Sequence, residues 1–215
     1  MSEFRRRLIA QVASDSDALP AGCVRCEYLE NNGTQWIDTG RRVKKSENIY
    51  IDAEFSSYNY GAYNFGWING DDADRRLCIQ QYSTASWLYV GCDPTFSGDN
   101  LIFKTRFAIQ INNTSKTVYI NDKKGFKKYD FDKPFDDGVA PCSAFLFSCN
   151  NNGSVTSTGS AKIYEYALIN EDGNYTQHLI PILDPNGTPC FYDTVSKKFH
   201  YNQGTGTFLY KITEQ

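Results

Sequence analysis

The sequence has little of what builds a helical or nucleic-acid-binding protein. It holds a single methionine against 14 phenylalanines and 15 tyrosines, and such aromatic residues favour strands. Its 22 basic and 25 acidic residues nearly balance, so the chain lacks the positive field that attracts a phosphate backbone. We therefore expect a β-rich protein that does not bind nucleic acid.

Long apolar runs are also absent. No stretch approaches the roughly 18 to 20 apolar residues that cross a bilayer, and residues 4–12 carry too few for a secretory signal. This predicts no membrane insertion and no signal peptide, so the chain is expected to be cytoplasmic as synthesised. Its final location is not specified by these features.

Cysteine chemistry is weakly signalled. Seven cysteines is an odd number, which favours buried thiols in a reducing compartment over a disulfide framework. Cys23 and Cys26 have metal-like spacing, but a structural zinc ion needs four ligands and no second pair follows. His178 and His200 are too isolated to complete the set, so we expect no zinc site.

The chain divides into an arm and a domain. Residues 1–22 are expected to form an N-terminal arm and linker, because Phe4, Leu8 and Val12 have helical spacing and Pro20 and Gly22 follow a polar stretch. Residues 23–215 then form one β domain.

Period-two patterns dominate this domain. Between residues 47 and 55 four apolar residues alternate with polar ones, which predicts a strand with one core face and one wet face. The apolar set is Ile49, Ile51, Ala53 and Phe55. Hairpins are expected at 101–121 and 162–183, and further strands at 62–68, 77–82, 86–90 and 144–147.

A C-terminal aromatic hairpin completes the pattern. Aromatic runs at 189–193 and 199–202 flank turn residues, as a twisted antiparallel hairpin requires. About a dozen short strands without a convincing interior helix predict an all-β protein, a two-sheet antiparallel jelly-roll sandwich.

Several segments resemble the concanavalin A-like lectin/glucanase superfamily, in its laminin-G-like form. Residues 27–40 resemble the opening strand pair, and later segments follow in the expected order. These are Glu47–Phe55, Phe65-Gly66, Ala161–Tyr164, Asp184–Gly187, Phe191–Asp193 and Gly204–Gly206. The tail is similar to versions found in gut bacteria and phage-derived genes. The resemblance implies a jelly roll, but members of the family bind glycans, catalyse reactions or act as adhesive modules.

Catalysis is not indicated. A retaining glycosidase needs two carboxyl groups about 5 to 5.5 Å apart, and glucanases of the resembled family carry Glu-x-Asp-x-x-Glu. That motif is absent: Asp52 and Glu54 share a strand face, but Ile49 and Phe55 stand where further acids belong. We interpret the two acids as exposed on the outer face of a strand and predict that the protein is not an enzyme. A glycoside hydrolase acting on β-glucan is the alternative.

Calcium is the one cofactor that the sequence leaves open. Asp71, Asp72 and Asp74 form an acidic loop of the right chemical hardness, and residues 132–138 form another. Solvated turns are the favoured explanation of both loops, and calcium is the alternative.

The candidate ligand surface is aromatic. Sugar rings present C–H faces that stack on aromatic side chains while neighbouring polar groups bond the hydroxyls. The candidates for glycan binding are Tyr58, Tyr60, Trp87 and Tyr89. Trp87 and Tyr89 share a strand face, which points outward if Leu88 and Val90 point inward. Trp67 is interpreted as packing.

These patterns favour a non-enzymatic carbohydrate-binding or adhesive module whose partner is a glycan or glycoconjugate. The resemblance implies a phage, prophage or cell-surface appendage. The alternative is a purely structural assembly domain that contacts its own copies through the N-terminal arm.

Overall fold

A computed structural model describes residues 18–57, 60–69, 72–82, 85–90, 94–96, 104–122, 125–131 and 138–214. Within these ranges the chain forms strands and turns, and none of them contains a helix that could cross a membrane. The predicted all-β, two-sheet jelly-roll sandwich is confirmed. The proposed helix in the arm lies outside the described residues, and the division at residue 22 stays a prediction.

The larger sheet holds ten strands in the described ranges. They are β1 (Val24–Glu30), β3 (Asn48–Ser57), β8 (Phe107–Asn112), β9 (Thr117–Asp122), β10 (Gly125–Asp130), β14 (Ser160–Ile169), β15 (Tyr175–Leu183), β16 (Pro189–Asp193), β17 (Lys198–His200) and β18 (Leu209–Ile212). Their order is β10-β9-β8-β3-β14-β1-β15-β16-β17, and β18 pairs with β1.

The smaller sheet holds the other strands of the described chain. They are β2 (Ile37–Lys44), β4 (Tyr63–Asn69), β5 (Asp72–Tyr82), β6 (Ala85–Val90), β7 (Pro94–Phe96), β11 (Val139–Leu146), β12 (Asn150–Asn151) and β13 (Ser154–Val155). The order β13-β12-β4-β5-β6-β7 is extended by β11, which pairs with β2 and β4. This sheet is mixed rather than antiparallel throughout, because the chain reverses near Phe147 (φ 68°) and β12 then runs parallel to β4.

The core lies between the two sheets. The apolar set predicted on β3 is buried there, as are Phe65, Leu88 and Val90 of the smaller sheet. Trp67 is fully buried in the same cluster, which confirms its interpretation as packing. Alternation along the strands therefore assigns the core faces correctly.

The predicted hairpins are present with adjusted ends. β14 and β15 pair around residues 170–174, and β16 and β17 form the C-terminal hairpin. The strand expected at 101–111 begins at Phe107 in the described residues, because Lys104 lies in a turn with φ 58°. Its hairpin partner, β9, follows a turn that ends at Lys116 (φ 52°). The sequence did not predict β18.

A bulge in β14 positions part of its outer surface. The register with β3 shifts between Ile163 and Glu165, while Ile163 and Tyr166 both belong to the core. One extra residue between two inward positions leaves both Tyr164 and Glu165 for the outer side of the sheet.

Candidate functional site

The outer face of β3 is not wet, contrary to the sequence interpretation. Asp52 is only 3% exposed and Tyr50 only 7% exposed. Asp52 is covered by Arg106, which reaches it from the segment before β8. The prediction that Asp52 is an exposed acid was therefore wrong, because alternation tells which face a side chain takes and not what lies over it.

Arg106 links a carboxylate to an aromatic ring. Its Nε and Nη2 donate to the two carboxylate oxygens of Asp52 at 2.8 and 2.9 Å. Its guanidinium carbon lies 3.8 Å from the centroid of the Tyr164 ring. Burial disfavours the charged guanidinium, but the hydrogen bonds and charge of Asp52 outweigh this effect and raise the pKa of Arg106. The residue is thus a fixed cation.

Lys162 likewise links a carboxylate, that of Glu54, to an aromatic ring, that of Tyr28. Its Nζ lies 2.8 Å from Glu54 Oε1 and 5.1 Å from the centroid of the Tyr28 ring. The hydrogen bond to Glu54 raises the pKa of Lys162 despite partial burial. The Tyr28 and Tyr164 rings meet edge to face at 5.4 Å, which joins the two linked pairs.

Further hydrogen bonds tie the cluster together. The Tyr164 hydroxyl donates to Glu54 Oε2 at 3.4 Å, and the Ser56 hydroxyl donates to Glu30 Oε1 at 2.6 Å. Burial and the charge of Glu54 raise the pKa of Tyr164, so its hydroxyl keeps its proton. We call this cluster the tyrosine face. Its members are Tyr28, Glu30, Asp52, Glu54, Arg106, Lys162 and Tyr164.

The tyrosine face is held together by contacts between strands. Its rings and charged groups come from β1, β3, β14 and the segment before β8, and fixed contacts hold them in place. A glycosidase directs two carboxyl groups at one glycosidic bond. Here Asp52 and Glu54 each turn to a cation instead, so their shared strand face is explained without hydrolysis.

His178 is the centre of a second group of polar contacts. The imidazole Nδ1 lies 2.9 Å from Thr194 Oγ1, and Nε2 lies 2.9 Å from Glu165 Oε1. The ring stacks on Tyr175 at 4.2 Å with an interplanar angle of 13°. Because both nitrogens are engaged and the imidazole is buried, this hydroxyl–imidazole–carboxylate chain cross-links β14, β15 and the turn after β16.

Tyr89, one of the predicted platform residues, lies beneath another side chain. Leu88 and Val90 lie in the core, which places Tyr89 on the opposite face of the smaller sheet. Tyr89 is nevertheless buried there, and the Arg76 guanidinium lies 4.0 Å from its ring centroid.

Tyr89 belongs to a cluster that we call the thiol face. Its members are Tyr63, Ile68, Arg76, Cys78, Tyr89 and Cys149. Burial raises the pKa of Cys149 well above its ordinary value, and a hydrogen bond with the Cys78 thiol adds to this effect. Burial also raises the pKa of Tyr63 to about 12, and the neighbouring Cys78 adds a smaller increase. The Cys149 thiol and the Tyr63 hydroxyl therefore keep their protons and are neutral.

The other predicted platform residues are only partly placed. Tyr60 is 60% exposed in the turn between β3 and β4. Trp87 pairs in register with Gln80, but its side chain is outside the described set, and Tyr58 lies outside the described residues. The four-residue glycan platform therefore stays a prediction.

The calcium candidates also stay predictions. Asp71 lies outside the described residues, and Asp72 and Asp74 are described only as positions in β5. Among the residues that the structure describes, no group of three His, Cys, Asp or Glu side chains could hold a metal ion.

The thiols of the described residues are unpaired. These are Cys23, Cys26, Cys78, Cys142, Cys149 and Cys190. Burial raises the pKa of Cys26 to about 11, and burial together with the charge of Asp184 raises that of Cys190 to about 12. Protonated thiols are poor metal ligands and poor nucleophiles, in keeping with structural roles.

Sequence reasoning missed most of the tyrosine face. Tyr28 and Tyr164 lie within segments that carried the family resemblance, and the period of two puts Lys162 and Tyr164 on one side of β14. That spacing was a usable signal. Arg106 had none, because it lies 54 residues from Asp52 and only the fold brings the two together.

Comparison with known proteins gives only distant likenesses. No protein-family description and no curated protein matches the chain. One similar solved structure is the Ruminococcus gnavus IT-sialidase CBM40 bound to α2,3-sialyllactose, with 13% identity, a TM-score of 0.43, and coverage of 67% of this chain and 90% of that chain. Another is the SPRY domain of human HERC1, with 13% identity, a TM-score of 0.38, and coverage of 68% and 91%.

At these TM-scores and identities, the ligand of this chain has to be inferred from its own side chains. The sandwich architecture that the sequence resemblance implied is present. The laminin-G-like branch and its gut-bacterial and phage-related versions stay predictions.

Proposed function

We propose that this protein is a non-enzymatic carbohydrate-binding module and that its glycan lies on the tyrosine face. One observation carries the proposal. Two tyrosine rings are each contacted by a cation that also binds a carboxylate, and the whole arrangement spans neighbouring strands of one sheet.

This arrangement supplies both kinds of contact that a sugar needs. Tyr164 is only 8% exposed and supports the cluster from below, whereas Tyr28 is half-buried. The Tyr28 ring can offer an apolar surface to C–H groups, and carboxylate, ammonium and guanidinium groups bond hydroxyls. The side chain of Arg106 is 42% exposed, so its outer atoms can reach a ligand while Asp52 holds its position. Side chains that are already ordered lose less entropy on binding.

The charge of the tyrosine face favours a neutral glycan. Three carboxylates, on Glu30, Asp52 and Glu54, stand against two cations, on Arg106 and Lys162. An acidic sugar would have to compete with a carboxylate already bound to each cation. We therefore expect neutral oligosaccharides to bind better than sialylated ones.

A glycan array with the full chain tests the site. We expect Tyr28→Ala to weaken binding about tenfold or more, as the loss of an aromatic anchor does. Tyr60→Ala and Trp87→Ala are the matched controls, because they alter the sequence-predicted platform. Loss of binding only in these two variants would move the site to the sequence-predicted platform, and a wild-type chain that binds no glycan would refute the proposed function. A parallel array with a calcium chelator tests the calcium requirement.

We also propose that the module belongs to a phage, prophage or cell-surface appendage. The similarity of residues 184–206 to tails of phage-derived and gut-bacterial proteins supports this setting. Mass spectrometry of purified particles and surface fractions should detect the chain there. Its confinement to the cytosolic fraction would contradict the assignment.

A further inference from the structure

The edge strand β18 exposes an unusual number of large apolar side chains. Leu209 is 60% exposed, Tyr210 is 43% exposed and Ile212 is 48% exposed. Within the described ranges β18 pairs with β1 alone, so its other edge carries backbone groups available for another strand. Exposed apolar residues on such an edge mark a site of strand addition.

The strand can serve as its own partner. Two copies of one strand pair antiparallel about a two-fold axis perpendicular to the sheet, which gives a closed, self-complementary contact. In that symmetry one residue faces its own copy across the axis, and directly opposed residues point to the same face. The choice of this central residue therefore decides the register.

Charge selects the register. Centring the pair on Lys211 would place two ammonium groups directly opposite each other, which is destabilising. Centring it on Tyr210 places the two aromatic rings together and sets Leu209 beside the aliphatic stem of Lys211.

We infer that β18 joins two copies of this chain into an antiparallel dimer with Tyr210 on the two-fold axis. Four residues from each copy make a small interface, so the dimer is weak and depends on concentration.

The dimer would present two tyrosine faces together. Leu209 and Lys211 stand opposite Glu30 and Tyr28 of β1, so they share the outer side of the larger sheet. A perpendicular two-fold axis keeps the outer sides of both copies on the same side of one continuous sheet. Two adjacent glycan sites would gain avidity for a multivalent surface without any new contact.

Sedimentation velocity of the full chain over a range of concentrations tests the dimer. We expect the wild type to shift from monomer towards dimer, and Tyr210→Lys to remain monomeric because it sets two charges on the axis. Val195→Lys is the control, since Val195 is 44% exposed in the turn after β16 and should behave as wild type. A wild type that is monomeric at every concentration, or a Tyr210→Lys variant that still dimerises, would overturn the inference.

Cysteine cross-linking tests the register without glycan. Position 210 should meet its own copy within disulfide reach, whereas position 209 should not. Mild oxidation should therefore convert Tyr210→Cys into a covalent dimer far more efficiently than Leu209→Cys, with the native chain as baseline. Equal yields from both variants, or none from either, would refute the Tyr210-centred pair.

Discussion

The outer faces of the two sheets are covered by different chemistry. On the tyrosine face, shielded ion pairs lie against aromatic rings, and charged groups remain partly accessible. On the thiol face, Cys78, Tyr89 and Cys149 pack together as a small apolar cluster under Arg76. Strand alternation places both sets outward, yet only the first offers a row of oriented donors and acceptors. The comparison shows that outward position and availability for a ligand are separate properties.

A substitution at Gly66, in the smaller sheet, should destabilise the protein more than the other changes considered below. It has φ +120°, and a Cβ added there would lie 1.9 Å from the Leu77 carbonyl oxygen. We expect Gly66→Ala to lower the free energy of unfolding by at least about 3 kcal/mol, because rigid backbone blocks the new methyl group. Urea denaturation measures the loss.

The control for Gly66 is Gly125→Ala. Gly125 has a similar φ of +110°, but among the described residues beyond its own chain neighbours no heavy atom lies within 4 Å of an added Cβ. This variant isolates the conformational strain, so its smaller cost can be subtracted. Equal costs for the two variants would show that the close contact at Gly66 does not matter.

The ion pair of the tyrosine face should have the next largest effect. Breaking a fully buried pair costs about 3 to 5 kcal/mol, but Arg106 is 42% exposed and solvent screening reduces this. A double-mutant cycle of Asp52→Ala and Arg106→Ala should give a coupling free energy of about 2 kcal/mol. A coupling indistinguishable from zero would mean that the pair is a surface contact like any other.

Acid should weaken the larger sheet through Asp184. The backbone amide of Thr188, the Tyr201 hydroxyl and the amide of Asn186 donate to its carboxylate and lower its pKa. A lowered pKa in the folded state adds stability above the unfolded value of about 3.9, and this stability is lost as pH falls through the folded pKa.

Asp184→Asn tests this link between acid and the β15 to β16 turn. The variant should unfold at lower urea concentration than wild type at neutral pH, and the difference should shrink in acid. If the difference in urea midpoint between variant and wild type is the same at neutral pH and in acid, the carboxylate charge is not responsible.

The smallest effect is expected at Lys211 and Glu27. Their side chains are 55% and 36% exposed, unlike those of Lys162 and Glu54, which are 23% and 16% exposed. A double-mutant cycle of Lys211→Ala and Glu27→Ala should give no measurable coupling in urea unfolding, since exposed pairs are screened by water. If the coupling free energy is as large as that between Lys162 and Glu54, then shielding from water does not explain the difference between the two pairs.

Local sequence patterns were enough for most of the fold. Alternation identified β3 and its core face, and turn residues between aromatic runs identified the β16 to β17 hairpin. β18 was missed because its four residues show no strong alternation. Its partner, β1, lies about 180 residues earlier in the chain, so the pairing has no local signal.

The candidate site was less predictable. The spacing of Asp52 and Glu54 correctly placed them on one face, but their cationic partners come from other parts of the chain. The bulge between Ile163 and Glu165 also shifts the outward positions of β14 by one residue. A period of two cannot show such a shift before the partner strand is known.

The pairing of β1 with β18 has a mechanical consequence. Ile212 lies opposite Cys26, so the start of β1 and the end of β18 leave the sheet side by side. Suppose that a force is applied through the segments before Val24 and after Ile212. The hydrogen bonds between β1 and β18 would then break one after another from that end, and the load would not be shared by all of them at once. If the chain tethers one body to another under flow, this pair would yield first, and because β1 carries Tyr28 and Glu30, its opening would reach the tyrosine face directly.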